Sequence, residues 1–232
     1  MARLSRIVIP FVPHHVTQRG NRRLPIFFSD EDRITYLALI AEACTAHRTA
    51  CLGWCLMDNH VHLILVPQTE DGLRATLAEA HRRYSRGINF REGWRGYLFQ
   101  GRFASYPMDD AHLMTAIRYV ENNPVAADMV ARAEEWRWSS AASHVAGKRT
   151  ADDPLTDVAL LGRHVRNWRA LLWVGLEAMD DSATVDEIEA RTRTGRPLAS
   201  PEWIAEAEAA IDRKLTPQKR GPKPRGQRSD SN

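Results

Sequence analysis

Two histidines separated by one apolar residue, His60-Val61-His62, form a pattern that could bind a metal ion. They follow Asp58-Asn59, and a two-residue turn of this composition predicts an antiparallel hairpin because Asp and Asn tolerate positive φ. Side chains alternate along a strand, so the two imidazoles share one face about 7 Å apart, within reach of one ion. The pattern is also typical of polar residues on the solvent face of a sheet, so the hairpin alone leaves both interpretations open.

A tyrosine and an asparagine lie one helical turn apart further along the chain. On the helix predicted there, Leu113, Ile117 and Val120 form one apolar stripe that faces the core. Tyr119 and Asn123 share a different stripe. A phenol beside an amide oxygen could supply a nucleophile and a third metal ligand if this helix lies near the two histidines. The alternative is a surface tyrosine followed by an Asn-Asn-Pro helix stop.

The elements that must position these residues follow from hydrophobic periodicity. In chain order they are an extended segment over 7–18, a helix over 31–48, strands over 50–57 and 60–66, a helix over 72–86, a strand over 98–106 and a helix over 110–123. This order predicts an α+β fold in which helices pack against an antiparallel sheet.

The helix boundaries carry their own signals. Ser29-Asp30 is a predicted cap for the first helix, and Asp109-Asp110 for the third. The third helix should end near Asn123, because Pro124 disfavours helical geometry in the residue before it. The predicted core-facing residues of the first helix are Ile34, Leu37, Ala41 and Cys44.

Composition indicates a globular protein. The chain has 232 residues, of which 44% are hydrophobic, and this excludes a wholly disordered chain, a collagen-like repeat and a coiled coil. The net charge of +3 is unevenly spread. Residues 82–102 contain six Arg and one Glu, and residues 213–232 contain seven basic residues and one acidic one. Two basic segments on an otherwise acidic chain favour a polyanionic partner.

The cysteines and the apolar runs bear on the compartment. Cys44, Cys51 and Cys55 cannot all pair internally, and no secretory segment precedes them, so a reduced cytosolic compartment is expected. No apolar run approaches the roughly 20 residues needed to span a bilayer, so no membrane segment is predicted.

Five segments occur in an order that is known from one family. They are HVTQRGNR (15–22), MDNHVHLIL (57–65), FQGRF (99–103), RYVENNPVAA (118–127) and WSSAASH (138–144). Over roughly residues 5–145 the chain resembles the REP-associated tyrosine transposases, which belong to the single-tyrosine HUH (IS200-like) superfamily. The family often has an aromatic residue before the first segment, whereas this chain has His14, whose role stays open.

The resemblance implies a ferredoxin-like or RRM-like α+β fold and metal-dependent cleavage of single-stranded DNA through a 5′-phosphotyrosine intermediate. By position, His60 and His62 match the two histidine ligands, Asn123 the third ligand and Tyr119 the nucleophile. A site with nitrogen and oxygen ligands suits Mg²⁺ or Mn²⁺, and the sequence does not choose between them.

Basic and aromatic residues are expected to hold the DNA. Arginines that bind phosphates, together with aromatic faces that stack on unpaired bases, are typical of single-strand binding. The predicted DNA-binding residues are Arg19, Asn21, Arg22, Arg82, Arg83, Arg86, Trp94, Arg95 and Arg102. About half of the aromatic residues in this region should instead face the core.

The chain is expected to comprise a transposase domain over 1–145, a helical extension over 146–214 and a disordered basic tail over 215–232. We expect a cytoplasmic, nucleoid-associated protein, a monomer or homodimer without a membrane partner, that binds single-stranded or hairpin DNA. The expected function is a transposase that cleaves and joins DNA at palindromic repeat hairpins. A non-catalytic hairpin-binding protein derived from a transposase is the alternative. A replication initiator or relaxase shares the chemistry, but the absence of a helicase domain counts against a large initiator.

Overall fold

The computed structural model of the chain describes residues 6–162, 165–179 and 182–217. Its first part follows the predicted order of strands and helices, so the α+β prediction is confirmed. The bounds are β1 His14–Arg19, α1 Asp30–Ala46, β2 Thr49–Met57, β3 His60–Pro67, α2 Gly72–Glu92, β4 Ala104–Pro107 and α3 Asp110–Ala126.

The four strands form one antiparallel sheet in the order β2-β3-β1-β4. A βαββαβ chain with this strand order has the predicted ferredoxin-like arrangement. β3 and β1 are the two central strands, so their side chains meet in direct pairs. Thr17 lies opposite His62, and Arg19 lies opposite His60.

Helices α1 and α2 cover one face of the sheet. The sheet residues buried beneath them are Val16, Cys51, Trp54, Leu56, Val61, Leu63 and Leu65. The predicted cap of α1 is confirmed, because the Ser29 hydroxyl accepts the backbone N–H of Asp32. The prediction that Ile34 faces the core is wrong: it is 51% exposed, while Tyr36 and Ile40 are fully buried. Leu37 and Cys44 are buried as predicted, and the buried stripe extends towards Tyr36 because the larger apolar side chains of the helix lie there.

Helix α3 and part of the C-terminal region cover the other face. The C-terminal helices are α4 Ala141–Ala146, α5 Val158–Gly162, α6 Trp168–Met179, α7 Ser182–Thr194 and α8 Pro201–Ala210. α6 packs against α3, and α7 packs against β4. The backbone N–H of Leu198 also donates to the Pro107 carbonyl. Chain beyond residue 146 therefore supports the helix that carries Tyr119.

Two predicted boundaries are wrong. α3 runs through Pro124 to Ala126 instead of ending near Asn123. Proline costs most in a helix interior, but Pro124 lies in the last turn and is buried, so its packing outweighs the local preference. The last strand spans only 104–107 because Gly101, at φ +64°, interrupts the segment before it.

The predicted disordered tail falls mostly outside the described residues, which end at 217. Within them, Leu215 is 1% exposed and belongs to a small apolar cluster with Ile7 and Ala207. Among the described residues no helix is both long and apolar enough to cross a bilayer.

Candidate active site

The hairpin places its two histidines side by side. Cys55 pairs with His62 and Met57 with His60, as the two-residue turn predicts. The His60 and His62 ring centroids are 4.9 Å apart with the ring planes near perpendicular. Both imidazoles lie on the sheet face opposite α1 and α2, because their neighbours Val61 and Leu63 point into the core on that other side. The face is not open to solvent at His62, which is 5% exposed.

His62 is held through one ring nitrogen and leaves the other without a partner. Its Nδ1 lies 2.9 Å from Nε2 of His15, and Nδ1 of His15 lies 2.9 Å from the Tyr106 hydroxyl. The Nε2 atom of His62 is buried without a hydrogen-bond partner among the described residues. An unpaired buried nitrogen costs free energy unless a ligand engages it.

His60 is oriented by the turn that precedes it. Its Nδ1 lies 2.7 Å from the Asn59 side-chain oxygen, and the Asn59 amide donates to the backbone carbonyl of Arg23. Asn59 therefore connects the histidine to the loop that follows β1. With Nδ1 occupied, Nε2 is the nitrogen of His60 left for a ligand.

The electrostatics keep both imidazoles neutral. Burial lowers the pKa of His60 to about 4, and the nearby Arg19 acts in the same direction. Burial also lowers the pKa of His62 well below its usual value, as do the neighbouring His60 and His15. A neutral imidazole is the form that binds a metal ion.

Tyr119 lies edge-on against the histidine cluster. Its ring centroid is 5.6 Å from that of His62 and 6.1 Å from that of His15. Burial raises the pKa of Tyr119 above its usual value, while a hydrogen bond from the Asn123 side chain works in the opposite direction. The Asn123 amide nitrogen also donates to the Tyr119 backbone carbonyl. The structure thus brings the predicted nucleophile, the two histidines and the helical turn of Asn123 together.

Capping and buried hydrogen bonds hold the helix beneath Tyr119. The Asp109 side chain accepts the backbone N–H of His112 at the start of α3. Asn122 is fully buried and donates to the Leu172 carbonyl of α6. The stripe that carries Tyr119 is therefore partly covered by the C-terminal region, which the sequence prediction did not anticipate.

The loop after β1 presents basic side chains beside His60. Asn21, Arg22 and Arg23 are exposed, and both arginines adopt positive φ. A Cβ at Gly20 would lie 2.1 Å from the Leu24 carbonyl oxygen, so only glycine fits at this position. The motif QRGNR thus builds a tight basic loop next to the histidines.

A groove of about 760 Å³ runs between α2 and the segment before β4. Three of the predicted DNA-binding arginines line it, namely Arg82, Arg86 and Arg102. Tyr97 lies at its edge and is 88% exposed, whereas Phe99 and Phe103 are buried. The loop after β1 is tied to the segment that lines this groove, because the Asn21 N–H donates to the Leu98 carbonyl.

The other predicted DNA-binding residues lie outside this groove. Arg83 forms a 2.6 Å ion pair with Glu42 of α1. Trp94 is 48% exposed and packs edge-on against Phe28, and Arg95 is exposed beside it. The structure does not bring these three into the lining of the groove.

The described part of the chain contains no group of three or more His, Cys, Asp or Glu side chains that could hold a metal ion. The predicted set instead pairs two imidazoles with an amide. The unpartnered Nε2 of His62 and the neutral state of both rings fit a divalent cation.

Sequence reasoning missed three residues of this site: His15, Asn59 and Tyr106. His15, Thr17 and Arg19 are every second residue of β1, so their side chains share one face of the sheet. This spacing was the signal in the sequence that could have indicated His15. It identifies a shared face but not its neighbours, because the pairing of β1 with β3 joins residues far apart in sequence.

Comparisons with known proteins give a family match and a similar fold. Residues 12–123 match the family model described as transposase, IS200-like. A solved structure of a REP-associated tyrosine transposase bound to a REP hairpin is similar, with a TM-score of 0.56 at 19% identity over 68% of this chain and 93% of that one. A candidate transposase from Deinococcus radiodurans R1 matches with a TM-score of 0.36 at 17% identity over 53% and 94%. No curated protein matches the chain.

Proposed function

We propose that this chain, whose residues 12–123 match the IS200-like transposase family model, cleaves and rejoins single-stranded DNA at palindromic hairpins through a covalent bond to Tyr119. One observation carries the proposal. The Tyr119 ring lies 5.6 Å from the His62 ring, on a helix held against the sheet by buried contacts. The proposed nucleophile therefore lies beside two neutral imidazoles in one site.

His60 and His62, through their Nε2 atoms, and the amide oxygen of Asn123 would hold a divalent cation, Mg²⁺ or Mn²⁺. The bound ion would neutralise charge on a non-bridging phosphate oxygen. Asn59 and His15 occupy the Nδ1 atoms of the two histidines, which leaves the opposite nitrogens for this purpose. Because both pKa values are lowered by burial, protons compete weakly for the ligand atoms near neutral pH.

In the proposed cleavage step the Tyr119 oxygen attacks the scissile phosphorus. A phosphorus–oxygen bond to tyrosine forms, and the bond from phosphorus to the 3′ oxygen of the preceding nucleotide breaks. The phenol loses its proton to a base, and the departing 3′ oxygen gains one. The phosphotyrosine retains a phosphodiester linkage, so attack by a 3′ hydroxyl joins a strand without another energy source.

The basic loop and the groove suit an unpaired strand. Arg19 lies opposite His60 in the sheet, where it can contact a phosphate held near the histidines. Arg86 and Arg102 line the groove beside α2, and Tyr97 offers an exposed ring for a base to stack on. The similar transposase structure contains a REP hairpin, which supports hairpin DNA as the substrate here. Such a substrate implies a nucleoid-associated, cytoplasmic location.

The test is an adduct assay with hairpin single-stranded DNA and Mn²⁺ or Mg²⁺. The wild-type chain should form an adduct that survives denaturing electrophoresis. Tyr119→Phe should form none while binding the hairpin as tightly as before. Tyr36→Phe, which removes the hydroxyl of a buried tyrosine of α1 on the other side of the sheet, is the control and should keep the adduct. An adduct in Tyr119→Phe contradicts the assignment. Hairpin binding by the wild type without cleavage in either metal favours the non-catalytic alternative.

A further inference from the structure

We propose that His15 is a positioning residue that fixes the ring orientation and the proton of His62, so that Nε2 of His62 presents its lone pair to the metal ion. The inference rests on the proposed function, since it assigns a task within the same site. The family comparison matches the segment that contains His15 but gives this residue no role.

The geometry is a continuous line of three buried side chains. The Tyr106 hydroxyl lies 2.9 Å from His15 Nδ1, and His15 Nε2 lies 2.9 Å from His62 Nδ1. The two imidazole planes are 10° from parallel and their centroids are 5.1 Å apart, the arrangement in which the two nitrogens face each other edge to edge. Their exposed fractions are 1% for His15, 5% for His62 and 0% for Tyr106. Burial limits the access of water that could replace one of these contacts.

The two hydrogen bonds of this line can be directed in only two ways when both imidazoles are neutral. If Tyr106 donates to His15, then His15 donates to His62, whose own proton must sit on Nε2 and block a metal. If His62 donates from Nδ1 instead, His15 accepts at Nε2 and donates from Nδ1 to the Tyr106 oxygen. Only the second direction leaves the His62 Nε2 lone pair free. Binding of a cation therefore selects one tautomer of both rings.

A purely structural role for His15 would not need this line. The preceding residue, His14, shows what such a role looks like in the same strand. It faces the other side of the sheet, accepts the Ile9 N–H at Nε2 and donates from Nδ1 to the Val12 carbonyl. His14 thus ties down the segment before β1, whereas His15 engages only side chains of the site. The two adjacent histidines have separate tasks.

The test measures Mn²⁺ affinity of the full chain without DNA, by electron paramagnetic resonance or calorimetry. His15→Leu should weaken Mn²⁺ binding 10- to 100-fold, the range for loss of an outer-shell partner. Hairpin binding without metal should not change. His14→Leu is the matched control: it removes a buried histidine one residue away and should leave Mn²⁺ affinity within about twofold of the wild type.

A second measurement uses the wild type, so it does not depend on whether His15→Leu folds. Long-range nitrogen–proton correlation spectra of the wild type with Mg²⁺ should show the His62 proton on Nδ1. An unchanged Mn²⁺ affinity in His15→Leu, an equal loss in His14→Leu, or a His62 proton on Nε2 with Mg²⁺ present overturns the inference. If one of these results is found and the wild type still forms the DNA adduct, the inference fails and the proposed function stands. If the wild type neither binds Mn²⁺ nor forms the adduct, the proposed function fails as well.

Discussion

The indole N–H of Trp168 donates a 2.7 Å hydrogen bond to the Glu121 carboxylate, two residues along α3 from the tyrosine of the candidate site. The same carboxylate accepts bonds from the Ser140 hydroxyl and from Nδ1 of His144, both at 2.5 Å. Glu121 is fully buried. The segment WSSAASH and helix α6 thus meet on a single acidic side chain, and this connection fixes α3 against the rest of the protein.

Glu121→Gln should lower the free energy of unfolding by about 2–4 kcal/mol, because an amide cannot accept all three bonds and leaves a buried donor unpaired. Urea denaturation measures the change. Glu42→Gln removes an exposed partner of Arg83 and should cost far less stability, because solvent screens this ion pair. Equal losses in the two variants would show that the buried hydrogen bonds of Glu121 contribute no more to stability than the exposed ion pair of Glu42.

Gly20→Ala should weaken hairpin binding, because the added Cβ meets the Leu24 carbonyl oxygen and forces the basic loop to move. Affinity is measured by fluorescence anisotropy with labelled hairpin DNA. Gly87→Ala is the control: no atom lies within 4 Å of its added Cβ. It should stabilise α2 by roughly 0.5–1 kcal/mol and leave affinity unchanged. If Gly20→Ala bound the hairpin as tightly as the wild type, the loop would not be part of the DNA-binding surface.

Arg86→Gln should weaken hairpin binding and reduce the slope of log affinity against log salt by about one, because Arg86 lines the groove. The slope comes from titrations at several salt concentrations. Arg83→Gln changes the charge equally on the same helix, but Arg83 is engaged by Glu42. We expect a smaller change in slope there. A larger effect at Arg83 than at Arg86 would place the strand on another surface.

His14 should make folding stability depend on pH. Burial lowers its pKa to about 4, although the bond to the Val12 carbonyl acts the other way. The unfolded chain takes up this proton below about pH 6.5, so the contribution of His14 is fully present above that pH and is lost as pH falls towards 4. The slope is about 1.4 kcal/mol per pH unit.

The measurement compares unfolding of the wild type with that of His14→Gln. Between pH 6.5 and 4.5 the stability advantage of the wild type should shrink by about 2 kcal/mol. An advantage that stays constant over this range would mean that His14 is already charged in the folded protein, in conflict with its role as acceptor of the Ile9 N–H.

Local patterns determined much of this protein. Alternation along β3 placed His60 and His62 on one face, and the two-residue turn set their partners in β2, because strand and turn geometry depend on neighbouring residues alone. Helical periodicity separated Tyr119 from Ile117 and Val120 for the same reason. The end of α3 was mispredicted, because burial of Pro124 outweighed a local preference.

Only the tertiary structure decided which residues support the site. His15 meets His62 across 47 positions of sequence, and Tyr106 meets His15 across 91. The division of the arginines between the groove and Glu42 likewise depends on how α2 packs against α1. Pairing of distant segments is set by the sum of many packing contacts, and no single motif encodes it. The proposed reactive residues could thus be identified from the sequence, whereas the residues that hold them required the fold.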